Sequence, residues 1–291
     1  MPNYIPYIFL LCSLSNALFS QGTVQNLYME SQVLQQQVNY SVYLPEGYSN
    51  ENQYPVIYLF HGFGGAETDW VNQYRLKETA DSLIACKKIP AFVAIMPFGF
   101  KSYYINNYNN EFCYETFFTK EFLPFTDSVY SFSDNFSDRA LGGLSMGGFG
   151  AVVLTIKHPE LFGTCISLSG ALRSPEHFIA LSPVRYHAYF SQVYGPSLLG
   201  NERITPHWKM NSPYYLIDSL KAPGLRAIEW YIDCGYQDDL LPANNAFITL
   251  LREYQIPASY IVRQGDHNYH YWTEELIYAL QCWGNKLKWE P

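Results

Sequence analysis

A chain of 291 residues, 48% hydrophobic and 15% charged, has the composition of a folded globular protein and not of a disordered one. Its formal net charge of -8 and the lack of any basic run argue against a nucleic-acid partner. Aromatic residues make up 18% of the chain, with 26 Tyr among them. Such an excess suits stacking on sugar rings or aryl groups as well as core packing.

The first residues predict a secretory signal peptide over residues 1–20. Residues 5–19 are apolar apart from a few Ser and Asn, and this run is too short to span a bilayer comfortably. No Lys or Arg precedes it, which departs from the usual pattern of a signal. After removal of this segment the protein is expected to be secreted or periplasmic, with no membrane attachment.

Five cysteines remain after a cut near Ser20, so at least one thiol must be free. Cys165 and Cys234 lie in apolar runs and are predicted to be buried thiols, while one disulfide of unassigned pairing stays open. No Cys-x-x-Cys pair occurs, and the sequence implies neither a metal nor an organic cofactor.

From residue 37 onward, strand and helix patterns alternate. Strands are predicted at 37–45, 54–61, 91–97, 163–170, 227–235 and 258–263, and one further strand is predicted to end at 139–141. Helices are predicted at 75–87, 114–130 with an interruption at Pro124, 149–157, 242–254 and 271–288. This alternation predicts an α/β fold, a mainly parallel central sheet with helices on both faces. No linker or repeat suggests a second domain, so residues 21–291 are interpreted as one domain.

Two stretches lack periodicity. Residues 98–114 form a loop rich in Tyr and Asn, and long loops in compact domains are often functional, so we expect it to be a wall or a lid of a site. Residues 171–222 contain several Pro and are interpreted as an insertion above the sheet.

The segment 142–148, Gly-Gly-Leu-Ser-Met-Gly-Gly, contains Gly-x-Ser-x-Gly between a strand and a helix. This is the context of a nucleophile elbow, a sharp turn that forces Ser145 into strained backbone angles and lifts its hydroxyl clear of the sheet. A glycine-rich turn with an incidental Ser would look the same. The remaining parts of a catalytic site must therefore come from elsewhere in the chain.

Two later loops carry those parts. A strand runs into residues 233–239, with carboxylates at Asp233, Asp238 and Asp239, and the last strand runs into residues 264–272, which carry His267 and His270. Both loops reach the carboxyl edge of the sheet, where ligands bind in open α/β sheets. The chain order Ser, Asp, His is that of α/β-hydrolases, in which the His activates the Ser and the Asp orients the His.

An oxyanion hole is predicted from the segment His61-Gly-Phe-Gly-Gly65, which follows an early strand. Its donors would be the backbone N–H of Phe63 (or Gly64) and the N–H of Met146. A plain glycine loop is the alternative for this segment, and a surface His is the alternative for His267 taken alone. Four motifs at four strand ends in one consistent order favour the catalytic interpretation.

The chain resembles the putative-esterase family, which includes esterase D, the feruloyl and acetyl-xylan esterases of carbohydrate esterase family 1, and the mycolyltransferases. The resemblance covers nearly everything after the signal, including residues 43–48, 55–65 with Trp70, 114–117, 142–148, 233–241 and 265–272. It implies an α/β-hydrolase fold. It also implies that Ser145 is the nucleophile, that Asp238 is the acid, and that His267, five residues before Trp272, is the base.

Several pocket residues are less well determined by sequence. His61, Gly64, Trp70, His270 and Trp272 are candidates for the substrate pocket; Trp70 could equally be packing, and His270 fits a pocket wall better than the base. Asp239 and Asp233 could be turn-capping or solvated carboxylates.

The sequence thus predicts a secreted serine carboxylesterase that acts on short acyl or hydroxycinnamoyl esters, with a small-molecule or carbohydrate ester as its substrate. Three alternatives remain open. One is an acyltransferase of the mycolyltransferase type, and one is a thioesterase like S-formylglutathione hydrolase, a branch that is cytosolic and against which the signal argues. The third is an inactive carbohydrate-binding homologue, against which the complete triad argues.

Overall fold

The computed structural model describes residues 21–220 and 223–287. The predicted signal peptide lies outside these residues. Eight strands form one sheet in the order β1-β2-β4-β3-β5-β6-β7-β8. Their bounds are β1 Thr23–Ser31, β2 Gln36–Leu44, β3 Val56–Phe60, β4 Val93–Pro97, β5 Arg139–Leu144, β6 Thr164–Leu168, β7 Glu229–Gly235 and β8 Ser259–Arg263. β1, β2 and β4 pair antiparallel, and β4, β3, β5, β6, β7 and β8 pair parallel.

The twelve α-helices of the described residues connect and cover these strands. They are α1 Asp69–Asn72, α2 Leu76–Ala85, α3 Tyr114–Phe117, α4 Leu123–Val129, α5 Met146–Lys157, α6 Pro175–Ile179, α7 Pro183–Tyr189, α8 Ser191–Tyr194, α9 Pro206–Met210, α10 Pro213–Leu220, α11 Leu241–Glu253 and α12 Tyr269–Gly284. The predicted mainly parallel α/β architecture is confirmed. All five predicted helices are present, with ends that differ by a few residues.

The inner strands β3 to β7 are buried on both faces, since successive side chains along each strand point to opposite sides of the sheet. In β3, Tyr58 and Phe60 belong to one apolar cluster, with residues of α5 and the helices of the insertion. Ile57 and Leu59 belong to the other cluster, with residues of α2 and α12. Strands covered in this way have only their ends exposed to a ligand, so the sheet directs any site to its edge.

Two features differ from the sequence prediction. The edge strand β1 was not predicted, because most of its residues are exposed and show no apolar alternation. The helix predicted at 114–130 is continuous, and a π-helical turn, Phe118–Phe122, stands directly before the segment that contains Pro124. Proline has no N–H for the carbonyl one turn earlier, and a π turn accommodates that loss.

The insertion at 171–222 is largely helical where it is described, from α6 to α10. Three of these short helices begin with a Ser or Thr followed by Pro, at Ser174, Ser182 and Thr205. Each of the three side chains accepts a hydrogen bond from an N–H of the first helical turn, while Pro occupies a position that needs no donor. These caps were the local signal for helices that apolar periodicity did not show.

Candidate active site

Ser145 occupies the sharp turn between β5 and α5. Its backbone has φ 53° and ψ −113°, a strained conformation for a residue with a side chain. Two hydrogen bonds hold it there: its N–H donates to the carbonyl of Leu168 at 2.9 Å, and its carbonyl accepts from the N–H of Ala171 at 3.0 Å. The turn therefore has the strand–turn–helix geometry of a nucleophile elbow.

The two glycines of Gly-x-Ser-x-Gly are required by close packing around this turn. A Cβ on Gly143 would lie 2.4 Å from the backbone carbon of Gly147, and a Cβ on Gly147 would lie 2.3 Å from the carbonyl oxygen of Phe60. Both distances are to backbone atoms, which have little room to shift. Side chains at these positions would push α5 away from the sheet and displace Ser145.

His267 and Asp238 meet Ser145 from two other strand ends. The Nε2 atom of His267 lies 2.9 Å from Ser145 Oγ, and its Nδ1 atom lies 2.8 Å from Asp238 Oδ2. The second oxygen, Oδ1, accepts the N–H of Leu240 at 2.8 Å. An ionised carboxylate only accepts, so Nδ1 carries the ring proton and Nε2 is free to accept from Ser145.

The environment of Asp238 keeps it ionised, although its side chain is fully buried. Burial by itself would raise the pKa of this carboxyl, but the hydrogen bond from His267 and the bond from Leu240 outweigh burial and hold the pKa below its usual range. The other two acidic candidates do not contact His267. Asp239 is 88% exposed beside Arg185, and the fully buried side chain of Asp233 lies 3.6 Å from Arg263.

The glycine loop after β3 forms a turn in which the N–H of Gly65 donates to the carbonyl of Gly62 at 3.0 Å. Gly64 has φ 77°, a conformation that favours glycine. His61 fixes this turn from below: its Nδ1 bonds the carbonyl of Gly62 at 2.7 Å, and its Nε2 accepts the N–H of Gly99 at 2.8 Å. Burial holds the pKa of His61 below its usual value, so the ring stays neutral and both bonds persist.

These strand ends open into a cleft of about 930 Å³. Of the predicted pocket residues, Gly64 and Trp272 line it, together with Phe63, Ser145, Asp238 and His267. Trp272 also packs edge-on against His267, with ring centroids 4.8 Å apart. The 98–114 loop contributes Tyr103 to the wall, so the prediction of a wall is confirmed there.

Three of the predicted pocket residues do not line the cleft. His61 is fully buried beneath the glycine turn. Trp70 is 1% exposed and packs against Tyr74, because α1 turns its ring into the core. His270 is exposed, and its ring lies against that of Tyr269. It is three residues beyond His267, within the first turn of α12, and its side chain therefore points in a different direction from that of His267.

The sequence interpretation missed the part of the cleft that the insertion builds. Arg173, Leu181, Arg185, Tyr189 and Phe190 all line it. Nothing in the sequence distinguished these side chains, because short helices without a clear period do not show which face points to a cleft.

The five cysteines of the described residues are all free, and Cys165 and Cys234 are buried as predicted. Within the described ranges, no cluster of three or more His, Cys, Asp or Glu side chains could hold a metal ion. In the same ranges, no helix is both long and apolar enough to cross a membrane.

The fold and this arrangement of Ser, His and Asp are of the α/β-hydrolase class. Residues 31–282 match the family model described as putative esterase. The chain therefore belongs to the putative esterase family, and its class is that of the serine carboxylic ester hydrolases.

Curated relatives and a solved structure agree with this membership. The chain is 33% identical over 176 residues to an endo-1,4-beta-xylanase/feruloyl esterase of Xylanibacter ruminicola, a match that covers 57% of the chain but only 24% of that protein. It is 28% identical over 239 residues to an acetyl esterase of Caldicellulosiruptor saccharolyticus, which covers 79% of the chain and 83% of that protein. A solved ferulic acid esterase superposes with a TM-score of 0.77 at 26% identity, covering 92% of the chain and 100% of that structure.

Proposed function

We propose that the protein hydrolyses short acyl or hydroxycinnamoyl esters carried on carbohydrate, through a covalent acyl-enzyme on Ser145. The observation that carries the proposal is the pair of contacts of His267, 2.9 Å to Ser145 Oγ and 2.8 Å to Asp238 Oδ2. The relatives named feruloyl esterase and acetyl esterase support the choice of acyl groups.

In this mechanism Ser145 Oγ attacks the ester carbonyl while its proton moves to His267 Nε2. Asp238 stabilises the imidazolium that forms, and it does so by accepting the proton on Nδ1 in a hydrogen bond. His267 then returns a proton to the leaving alcohol. Water, deprotonated by the same ring, attacks the acyl carbonyl and releases the acid and the free Ser145.

The oxyanion that forms at each attack would be held by the N–H groups of Phe63 and Met146. Met146 is the first residue of α5, where a backbone N–H has no partner within the helix and the helix dipole favours negative charge. Phe63 belongs to the glycine turn that His61 fixes. Each donor is expected to contribute about 3 kcal/mol to the transition state.

Replacement of the nucleophile tests this mechanism. Ser145→Ala is expected to lower turnover of p-nitrophenyl acetate by about 10⁶-fold and to abolish labelling by a fluorophosphonate. Ser128→Ala, an exposed Ser on α4, is the matched control and should behave as the parent protein does. Unchanged turnover in folded Ser145→Ala protein would contradict the mechanism.

The substrate part of the proposal is tested by acid release from acetyl-xylan, feruloylated arabinoxylan and simple acetates. Products in which a sugar carries the transferred acyl group would instead indicate an acyltransferase. We also propose that residues 1–20 direct export, and the N-terminal residue of protein recovered outside the cell would test this.

A further inference from the structure

Arg173 lies in the wall of the active-site cleft and is tied to the nucleophile turn. The carbonyl of Ser145 accepts the N–H of Ala171 at 3.0 Å, and the carbonyl of Ala171 accepts the N–H of Arg173 at 3.0 Å. Arg173 and Ser145 both line the 930 Å³ cleft. The backbone of Arg173 is therefore positioned by the same turn that positions Ser145.

The guanidinium of Arg173 has no hydrogen-bond or ion-pair partner in the described part of the chain. Its Nε is buried without a hydrogen bond, and no ion pair or hydrogen bond joins its terminal nitrogens to another described residue. It lies over the ring of Phe190, whose centroid is 5.9 Å from the guanidinium carbon. A partly buried cation without a partner is costly, so its presence needs an explanation.

Arg203, in the same insertion, shows how this protein places an arginine that serves only structure. It is 1% exposed and donates to the carbonyls of Leu198, Phe178, Ile179 and Leu181, while its guanidinium lies 4.6 Å from the ring centroid of Tyr186. Its Nε and one terminal nitrogen thus meet four backbone acceptors. Arg173 makes no such hydrogen bond to a described residue.

The carboxylates of the cleft are already engaged by other groups. Asp238 bonds His267, Asp69 accepts from Ala66 and Gln73, and Asp266 accepts the N–H of His267. Asp239 lies 3.9 Å from Arg185 at the exposed rim. Asp238 and Asp239 attract the Arg173 guanidinium from a distance, but neither forms an ion pair with it, in a chain whose formal net charge is -8.

We propose that Arg173 binds a carboxylate of the substrate, so that the preferred substrates are esters that also carry a free carboxylate. This inference rests on the proposed esterase function and narrows its substrate class. A guanidinium matches a carboxylate with two parallel hydrogen bonds, and such charge-assisted pairs are strong where water is partly excluded. The carboxylate could belong to the acyl half, as in a dicarboxylic half-ester. It could also belong to the alcohol half, as in a uronic acid that is acylated on a hydroxyl group and keeps its carboxylate free.

Two matched pairs of esters test the inference and separate these sources. For the acyl half, mono-p-nitrophenyl glutarate is compared with neutral p-nitrophenyl valerate. For the alcohol half, an acetylated methyl glucuronoside is compared with the acetylated methyl glucoside. The readout is the ratio of kcat/KM for the anionic over the neutral ester, which cancels any general effect of a variant on catalysis.

In the parent protein the ratio is expected to exceed one for at least one pair and to fall as NaCl is raised. Arg173→Gln should lower that ratio about tenfold or more, mainly through a higher KM for the anionic ester. Arg173→Lys should recover part of the loss, because it keeps the charge and loses the fork. Arg252→Gln removes the same charge from an exposed position at the end of α11 and should leave the ratio unchanged.

A ratio at or below one for both pairs in the parent protein would overturn the inference about Arg173. Turnover of the neutral esters in the same experiment would still support the proposed esterase function. A loss of turnover in Arg173→Gln that is equal for both members of each pair would also overturn it. If Arg173→Gln does not fold, the ratio and its salt dependence in the parent protein decide. If no ester is turned over and no fluorophosphonate labels Ser145, the proposed function itself fails and this inference fails with it.

Discussion

The two walls of the cleft are built by different means. One wall consists of turns at the ends of β3, β5, β7 and β8, in which Ser145, Asp238 and His267 each have a defined hydrogen-bond partner. The other consists of short helices of the insertion at 171–220, where Arg203 donates to four backbone carbonyls and Arg173 has no hydrogen bond or ion pair with a described residue. The ladder hydrogen bonds of the sheet hold the first wall. The second is held by contacts among its own helices and by bonds to neighbouring segments, such as the bond from the Ala171 N–H to the Ser145 carbonyl.

This difference indicates a division of roles. Strand ends of a parallel sheet keep their relative positions because the ladder hydrogen bonds hold them, which suits groups that must meet within 3 Å. An insertion above the sheet can carry different side chains without disturbing that ladder. Such a segment is suited to contacts that determine substrate specificity. The predictions below test the division, in order of decreasing expected effect.

The largest effect is expected at the strand-end wall. Asp238→Asn should lower kcat on p-nitrophenyl acetate by about 10⁴-fold, because an amide NH₂ favours the ring tautomer whose Nε2 is protonated and cannot accept from Ser145. Asp239→Asn is the matched control, next in sequence and 88% exposed, and should change kcat by less than about threefold. Similar losses of kcat in the two variants would show that the position of Asp238 at the strand end does not give it a role that Asp239 lacks.

The next effect tests how the insertion is held. Arg203→Met should lower the free energy of unfolding by about 3 kcal/mol, since it leaves buried carbonyls of Leu198, Phe178, Ile179 and Leu181 without a donor. The measurement is urea denaturation. Arg185→Met, at a side chain that is 60% exposed, should cost less than about 0.5 kcal/mol. An Arg203→Met protein as stable as the parent would mean that this arginine does not anchor the insertion.

The smallest effect concerns pH and a buried acidic pair beneath the strand-end wall. Burial, reinforced by the charge of Glu275, holds the pKa of Asp233 well above its usual range. Burial also raises the pKa of Glu275, and the two carboxyls share Arg263. The folded protein therefore keeps a proton that the unfolded chain releases in acid, so this pair makes stability fall as pH rises from acid towards neutral and above.

Asp233→Asn should reduce the loss of unfolding free energy between pH 5 and pH 8 by about 1–2 kcal/mol relative to the parent protein. Urea denaturation at the two pH values measures it, and comparison within each variant cancels the constant cost of the substitution. Asp134→Asn, at an exposed position, is the control and should keep the parental pH dependence. A parental pH dependence in Asp233→Asn would show that Asp233 is ionised throughout.

Local patterns in the sequence were sufficient to predict the sheet and its catalytic edge. Continuous apolar runs identified the buried strands, and the elbow glycines, the acidic loop and the His loop each followed such a run. Since parallel strands bring their carboxyl ends to one edge, chain order predicted that the Ser145 turn, the acidic loop and the His loop would be neighbours. The family resemblance then selected Asp238 and His267 within those loops. The same reasoning could not detect β1, whose exposed residues carry no pattern.

What only the tertiary structure decided is the direction in which a side chain points. His61, Trp70 and His270 all lie beside catalytic motifs in sequence, yet packing turns two of them into the core and one out to solvent. Arg173 lies in a segment with no motif, yet it faces the cleft without a hydrogen bond or ion pair to a described residue. The sequence determined which loops reach the carboxyl edge of the sheet, because the alternation of strands and helices is a property of the chain. Which residues meet the rest of the substrate was decided by the packing of the insertion, because burial and hydrogen-bond partners arise only between segments distant in sequence.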